Sequence, residues 1–241
     1  MLEDLDYIEN IVAVPEAFVP VIKFHLYGVE VDLLVACLPM DHIPPTLDIL
    51  DDGILKNVDD ATQRSINGVR VTLMIMKIVP NIEHFRTVLR VVKCWAKRRC
   101  IYSNAMGFLG GISWAILVAK ICLLFPNASP NTLLEQFFQV YGNWNWPTPV
   151  SLCLPTGNGN PELGLKVWNP VVNRLERKHL MPIITPAYPS LNSSYNVSQT
   201  TFRIIHEELS RACAAFEPVF HMRLNFINRE EDGSGSGSGS G

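Results

Sequence analysis

The sequence lacks a strong net charge of either sign. Its 241 residues include 20 Lys and Arg and 23 Asp and Glu, which gives a formal net charge of −3 and a pI of about 6.1. Nucleic-acid-binding domains usually carry a basic field over the whole molecule, and this composition excludes one. We therefore expect any contact with phosphate groups to come from a local basic cluster.

Closely spaced cysteines are also absent. The six cysteines are scattered and include no CxxC pair, so the spacing typical of a zinc site or a disulfide framework is missing. We interpret all six as buried free thiols in a reducing compartment. They are Cys37, Cys94, Cys100, Cys122, Cys153 and Cys213.

The N-terminus has no signal-peptide pattern, and the chain has one long apolar run. The first ten residues, MLEDLDYIEN, contain neither a basic start nor an apolar stretch, and they read as a start inside a domain. Residues 106–125 are long enough to span a membrane, at roughly 20 residues. Because the run contains Lys120, Ser113 and three glycines, we expect a helix buried in a helical domain, with a membrane span as the alternative.

A β-hairpin is predicted over residues 18–38. Two β-rich runs flank Gly28, a turn residue. Side chains alternate along a strand, so Asp32 and Glu30 point away from the apolar face that we expect to pack, which consists of Val29, Val31, Leu33 and Val35. We place Asp32 on a central strand. An ordinary ion-pair or edge-strand residue is the alternative for Asp32, since one carboxylate cannot hold two magnesium ions and no DxD pair accompanies it.

Beyond Pro39 the pattern predicts mainly helices. Residues 143–189 are rich in Pro, Gly, Trp and Asn and read as irregular packed loops. The predicted helices are 59–79, interrupted at Asn67-Gly68; 82–99, capped by Asn81; an apolar helix capped by Asn104; one opened by Ser129-Pro130; and 198–216.

The helix 82–99 carries two stripes. One is apolar, and the other is wholly basic at helical spacing. Like charges on one helix face repel each other, so the basic stripe favours a bound anion, although a solvated basic face fits the pattern equally well. The basic residues are Arg86, Arg90, Lys93 and Lys97, and the apolar ones are Phe85, Val88, Leu89, Val92 and Ala96.

A loop and a glycine pair follow the basic stripe. Tyr102 and Asn104 lie between the stripe and Gly110-Gly111-Ile112. Glycines near a helix start let a backbone or a flat ring approach closely, and a loop aromatic beside helix-terminal amides can stack on a base or bind phosphate. Tight helix packing and a surface tyrosine are the alternatives.

Five strings in this order resemble eukaryotic poly(A) polymerases. They are AFVPVIKF…GVEVDLLVA, RSINGVRVT, VPNIEHFRTVLRVVKCWAKRRCIYSN, GFLGGISWAILVAK and HLMPIITPAYPSLNSSYNVS. They cover most of the chain from Val12 to about Ser210. A terminal uridylyltransferase is a weaker match to KCWAKRRCIYSN and to HLMPIITPAYP.

The resemblance implies an α+β chain, with the C-terminal β-hairpin portion of a nucleotidyltransferase palm followed by a mainly helical central domain. On this reading, residues 1–38 are the partial palm and residues 39–217 are the central domain. Residues 218–232 begin a truncated RNA-binding domain, and residues 233–241 form a Gly/Ser linker or tail.

The resemblance also implies the site residues. Asp32 would be the catalytic aspartate and a Mg²⁺ ligand, with Mn²⁺ as the alternative ion, and Lys23 would contact RNA. The ATP-binding positions would be Asn67, Lys93, Lys97, Tyr102, Asn104, Gly111 and Ile112. ATP and an RNA 3′ end would be the substrates and cleavage/polyadenylation factors the partners, in the nucleus and away from membranes.

The chain departs from the family in one major respect. The family's G-S motif and DxD pair have no counterpart here, so we expect no poly(A) synthesis by this chain alone. The alternative function is a non-catalytic remnant that binds nucleotide or protein.

Overall fold

The computed structural model describes residues 5–17, 19–153 and 162–233. Phe18, the first residue of the predicted hairpin, and the Gly/Ser tail beyond Gly233 lie outside the described residues. The chain divides into two compact units. One comprises residues 1–78, 155–167 and 185–190, and the other comprises residues 79–154, 168–184 and 191–241. The predicted domain boundaries stay a prediction.

The first unit contains a three-stranded antiparallel sheet of β1 (Ile8–Val14), β2 (Val21–Leu26) and β3 (Val29–Leu34), in that order. The predicted hairpin is confirmed. Its two-residue turn has positive φ at both Tyr27 and Gly28, 49° and 75°, which matches the twist of the flanking strands. Strand β1 was not predicted, because its pairing shifts register between Glu9 and Val12, and this bulge breaks the alternation of apolar residues.

The position of β3 corrects two expectations. Within the described residues β3 pairs only with β2, so Asp32 lies on an edge strand and not on a central one. The face expected to pack is also largely open, because only Val31 is half-buried while Val29 and Val35 are 63% and 61% exposed.

Helix α1 (Asp60–Ile78) is continuous through Asn67-Gly68, so the predicted interruption is wrong. Buried residues at helical spacing on both sides of Gly68 favour continuation, and tertiary packing outweighs the turn signal of the dipeptide. The Asp59 carboxylate caps the helix by accepting hydrogen bonds from the backbone N–H and the hydroxyl of Thr62, which lower the pKa of Asp59. The core of this unit contains Ile54, Leu55, Ile66 and Tyr188.

The second unit is built from four helices: α2 (Ile82–Arg98), α3 (Gly111–Leu124), α4 (Pro130–Gly142) and α5 (Gln199–Gly233). The caps predicted for α2 and α4 are confirmed, because Asn81 Oδ1 accepts from the His84 N–H at 3.0 Å and Ser129 Oγ accepts from the Thr132 N–H at 3.3 Å. The described residues between 143 and 189 are irregular, as predicted, apart from a short 3-10 turn at Glu176–Lys178.

Helix α3 is buried nearly all round, which confirms the prediction of a buried apolar helix. Its Trp114 side chain lies edge-on to Trp95 of α2, and the Tyr141 hydroxyl of α4 donates to the Leu117 carbonyl at 2.8 Å. Among the described helices, none combines the length and the hydropathy that a membrane span requires.

All six cysteines are free, as predicted, but only Cys122 and Cys213 are buried. The expectation of six buried thiols is therefore wrong for the other four, because apolar character in the sequence does not fix which face of an element packs. Burial raises the pKa of the Cys122 thiol to about 11, so this group stays protonated at neutral pH.

Candidate functional site

The first turn of α3 offers free backbone amides. Its N-cap residue, Gly110, has no side chain that could accept from them, and the helix continues through Gly111 and Ile112. The first N–H groups of a helix have no partner within the helix, and the helix dipole adds partial positive charge at this end. A 14-residue helix with such a start is suited to bind an anion.

Two side chains meet at this helix start. A Cβ atom at Gly111 would lie 2.9 Å from the phenol oxygen of Tyr102 and 3.5 Å from Nζ of Lys93. Lys93 projects from α2, where it is half-buried, and Tyr102 follows that helix by a few residues. Both polar groups therefore border the free amides of α3, and the absence of a side chain at Gly111 is what leaves room for them.

Lys97 adds a second cation beside this cluster. Its Nζ lies 5.3 Å from the centre of the Tyr102 ring, a cation–π contact. Lys97 is one turn of α2 beyond Lys93, so the basic stripe supplies both lysines. Arg86, at the other end of the stripe, is engaged differently, since it pairs with Glu83 at 2.8 Å.

Asn104 does not cap α3, contrary to prediction. It begins a short 3-10 turn, Asn104–Met106, that ends at Gly107 with a φ of 80°, and α3 starts only after Gly110. The Asn104 side chain instead lies against Gly110, where a Cβ atom would be 3.2 Å from the Asn104 Cβ. Its Oδ1 is buried without a hydrogen-bond partner. A buried acceptor of this kind calls for a donor from a ligand or from water.

These groups have a clear chemical capacity. Free amides, the Lys93 ammonium and the Tyr102 hydroxyl can all donate hydrogen bonds to a phosphate, and the unpaired Asn104 Oδ1 can accept one from an N–H or O–H group. The site therefore suits a ligand with an anionic part and a donor-bearing part.

The first unit holds the remaining predicted residues. Lys23 and Asp32 are directly paired across β2 and β3, and Lys23 Nζ lies 3.7 Å from an Asp32 oxygen. Both side chains are about half exposed, at 47% and 55%. Asn67 lies on α1, and its Oδ1 is buried without a partner, like that of Asn104. The predicted cleft shared by Asp32 and Lys93 stays a prediction.

The described side chains offer a divalent metal ion too few ligands. In the part of the chain that the structure describes, no group of three or more His, Cys, Asp or Glu side chains could hold a metal ion. Asp32 supplies one carboxylate, and it forms an ion pair with Lys23. These residues therefore do not form a complete metal site.

Asn196 is a functional candidate that no sequence pattern indicated. Its side-chain amide donates to the Asn104 carbonyl at 3.1 Å, across 92 positions of the chain. No local pattern carries such a contact, so nothing in the sequence periodicity indicated it.

Comparison with protein families identifies the chain's lineage. A family model described as the poly(A) polymerase central domain matches residues 84–228, and one described as the poly(A) polymerase nucleotidyltransferase domain matches residues 1–79. The chain belongs to the poly(A) polymerase family. The resemblance predicted from the sequence is confirmed.

Plant poly(A) polymerases are similar over most of the chain. Nuclear poly(A) polymerase 1 of Arabidopsis thaliana is 52% identical over 220 residues, which are 90% of this chain and 30% of that protein. Nuclear poly(A) polymerase 4 of the same plant is 50% identical over 208 residues, 86% of this chain and 28% of that protein. The chain thus spans less than a third of the length of these poly(A) polymerases.

Solved structures support the fold class. The crystal structure of the Cid1 poly(U) polymerase matches with a TM-score of 0.54 and 16% identity, over 85% of this chain and 67% of that chain. A cytoplasmic RNA terminal U-transferase matches with a TM-score of 0.53 and 17% identity, over 85% and 66%. At this identity the likeness shows the fold alone, and the predicted α+β class is confirmed.

Proposed function

We propose that this chain is the ATP-binding part of a polynucleotide adenylyltransferase, which adds AMP from ATP to RNA 3′ ends. One observation carries the proposal: Lys93 Nζ and Tyr102 Oη both border the uncapped start of α3. Three kinds of donor thus converge where a triphosphate would sit. Membership in the poly(A) polymerase family supplies the reaction, while the chain itself spans 30% of one such relative.

The proposed binding mode assigns a role to each of these groups. Lys93, Tyr102 and the first amides of α3 bind and orient the phosphates, with Lys97 as a nearby second cation. The backbone at Gly111 and the apolar side chain of Ile112 offer a flat surface to the adenine ring. The unpaired Oδ1 atom of Asn104 is an acceptor for an N–H or O–H group of the nucleoside. Asn67 is a proposed ATP contact through the family resemblance alone.

Adenylyl transfer joins the RNA 3′-OH to the α-phosphate of ATP and releases pyrophosphate. The residues of this chain contribute positioning and positive charge rather than a covalent step. Orienting the triphosphate in this way would place its α-phosphate for attack.

A divalent metal ion and RNA are each assigned one residue of this chain. In nucleotidyltransferases Mg²⁺ or Mn²⁺ stabilises charge on the reacting phosphates, and Asp32 is the proposed ligand in this chain. Because the described residues lack a metal cluster, Asp32 alone would give the ion too few ligands. Lys23 is the proposed RNA contact, cleavage/polyadenylation factors are proposed partners, and the nucleus is the proposed location, following the names of the plant relatives.

A second candidate function is a non-catalytic nucleotide-binding remnant. The single carboxylate at Asp32, with no metal cluster among the described residues, favours it. Both candidates predict ATP binding, so binding alone does not separate them.

Two measurements test the proposal. Calorimetric titration of the chain with ATP, AMP and inorganic tripolyphosphate should give affinities in the order ATP, tripolyphosphate, AMP, and equal affinity for ATP and AMP would contradict a triphosphate site. In the second, the matched segment of Arabidopsis nuclear poly(A) polymerase 1 is replaced by this chain's 220 residues. Extension of a labelled oligo(A) by this chimera supports the transferase, whereas ATP binding without extension supports the remnant.

A further inference from the structure

A single side chain ties the Asn104 turn to a distant segment. Asn196 Nδ2 donates to the Asn104 carbonyl at 3.1 Å. The same carbonyl also accepts from the Gly107 N–H at 3.1 Å, within the turn. One oxygen therefore closes the turn and anchors it.

Gly107 makes a second, independent contact between the Asn104 turn and the segment that contains Asn196. Gly107 has a φ of 80°, and a Cβ atom there would lie 3.1 Å from the backbone oxygen of Asn196 and 3.4 Å from Cγ2 of Thr201. The turn thus lies directly against Asn196, which precedes α5, and against Thr201 in the first turn of α5. Only glycine allows both this backbone angle and this close approach.

The consequence falls on the Asn104 side chain. Its Oδ1 is the buried, unpaired acceptor at the start of α3, so it relies on the backbone of the turn for its position. Among the described residues, no hydrogen bond or ring contact joins Asn196 to Lys93 or Tyr102, and those two residues approach Gly111 from α2 and from the segment after it. The turn and the phosphate-binding groups are therefore held by different contacts.

We propose that Asn196 is a positioning residue that sets Asn104 Oδ1 for a donor on the nucleoside part of ATP, with Gly107 as its backbone partner. The inference rests on the proposed function and deepens it. It separates the site into a phosphate half, held through Lys93 and Tyr102, and a nucleoside half, held through Asn196.

Substitution of Asn196 should change the affinity for ATP but not the affinity for inorganic tripolyphosphate. Asn196→Ala removes one hydrogen bond at an exposed position, so the chain should fold as before. Its affinity for ATP should fall roughly three- to tenfold, the size of one hydrogen bond, while its affinity for inorganic tripolyphosphate stays unchanged. Gly107→Ala places a Cβ atom against the Asn196 backbone, so it should also weaken ATP binding and leave tripolyphosphate binding unchanged.

The decisive experiment is a double-mutant cycle on the full 241-residue chain. ATP and tripolyphosphate dissociation constants are measured by calorimetry for the original chain, Asn196→Ala, Asn104→Ala and the double variant, together with melting temperatures. Because Asn196 acts through Asn104, its substitution should add nothing once Asn104 is alanine. Asn143→Ala serves as the matched control, since its amide also donates to a backbone carbonyl, that of Gln139, on α4.

Each outcome decides a different claim. Fully additive losses, or equal losses for ATP and tripolyphosphate, would overturn the positioning role and indicate a general structural one. Unchanged ATP affinity in both Asn196→Ala and Gly107→Ala would overturn it as well. Failure of the original chain to bind either ligand would instead overturn the proposed function.

Discussion

The Lys97 ammonium lies over the Tyr102 ring, 5.3 Å from its centre. The ring therefore has two separate tasks, since its face holds a cation while its hydroxyl points toward Gly111. The two tasks can be separated by substitution, because phenylalanine keeps the face and loses the hydroxyl.

Tyr102→Phe should leave the melting temperature nearly unchanged and weaken tripolyphosphate binding about tenfold or more, because a hydrogen bond to a charged group contributes about 1.5–3 kcal/mol. Tyr102→Leu should weaken binding further, because Lys97 also loses the cation–π contact, worth about 0.5–1 kcal/mol at an exposed site. Calorimetric titration of both variants measures the difference. Identical binding by the original chain and Tyr102→Phe would remove the hydroxyl from the site.

Gly111→Ala should damage binding more than folding. Alanine is favourable in a helix, but its Cβ would lie 2.9 Å from the Tyr102 oxygen and would push that side chain out of place. We expect ATP affinity to fall about tenfold, the equivalent of roughly 1.4 kcal/mol, with thermal stability retained. Unchanged affinity would show that the Tyr102 hydroxyl is free to move without cost.

Gly68→Ala is the matched glycine substitution on α1. Unlike Gly111→Ala, it should raise the stability of the chain. No atom lies within 4 Å of a Cβ at this position, and the helix continues on both sides. The substitution should stabilise the chain by about 0.5–1 kcal/mol, because alanine loses less backbone entropy than glycine on entering a helix. Urea unfolding measures the change, and a loss of stability would contradict the continuous helix.

Arg70 should be the most sensitive position of the first unit. It is 1% exposed, and its guanidinium donates to the carbonyls of Ile49 and Asp51 and to the Asp52 carboxylate, at 2.6, 2.8 and 2.5 Å. Arg70→Ala leaves these acceptors without their donor and should cost about 3 kcal/mol. Arg70→Lys should recover only part of that loss, since an ammonium cannot reproduce the planar fork. Equal urea midpoints for Arg70→Lys and the original chain would refute the need for the fork.

The sequence predicted those elements whose signals are local. Gly28 between two β-rich runs predicted the hairpin, and Asn81 and Ser129 predicted helix starts, because a turn or a cap depends on residues a few positions apart. Strand β1 was not predicted, because its bulge breaks the alternation of apolar residues. The predicted interruption of α1 at Asn67-Gly68 was wrong, because the packing of α1 outweighed the local turn preference of that dipeptide.

The residues of the candidate site also fall into two groups, those that a local sequence signal predicted and those that it did not. Spacing along α2 placed Lys93 and Lys97 on one face, and the glycine pair marked a close approach that the structure has at Gly111. Asn104 was assigned to the wrong local role because Gly107 turns the chain before α3 begins. The Asn196 contact joins segments 92 positions apart and has no local signal.

Lys93→Ala offers the sharpest test of the basic stripe, with Arg86→Ala as its control. Arg86 is about half exposed and already paired with Glu83, so its loss should shift stability and ATP use by only about 0.5 kcal/mol. Lys93 Nζ instead lies beside Gly111, where a charge-assisted contact to phosphate contributes about 1.5–3 kcal/mol, or roughly ten- to a hundredfold in affinity.

The Lys93→Ala and Arg86→Ala variants should therefore have similar melting temperatures but different affinities for ATP. Thermal melts and ATP titrations of the two chains decide the matter, and steady-state kinetics in the chimera with the plant polymerase extend it to turnover. Equal losses of affinity would mean that the stripe acts as a diffuse positive field, because a specific contact depends on position and a field does not. A large fall in melting temperature for Lys93→Ala with unchanged binding would mean that Lys93 serves the packing of α2, and the phosphate site would then lack its principal cation.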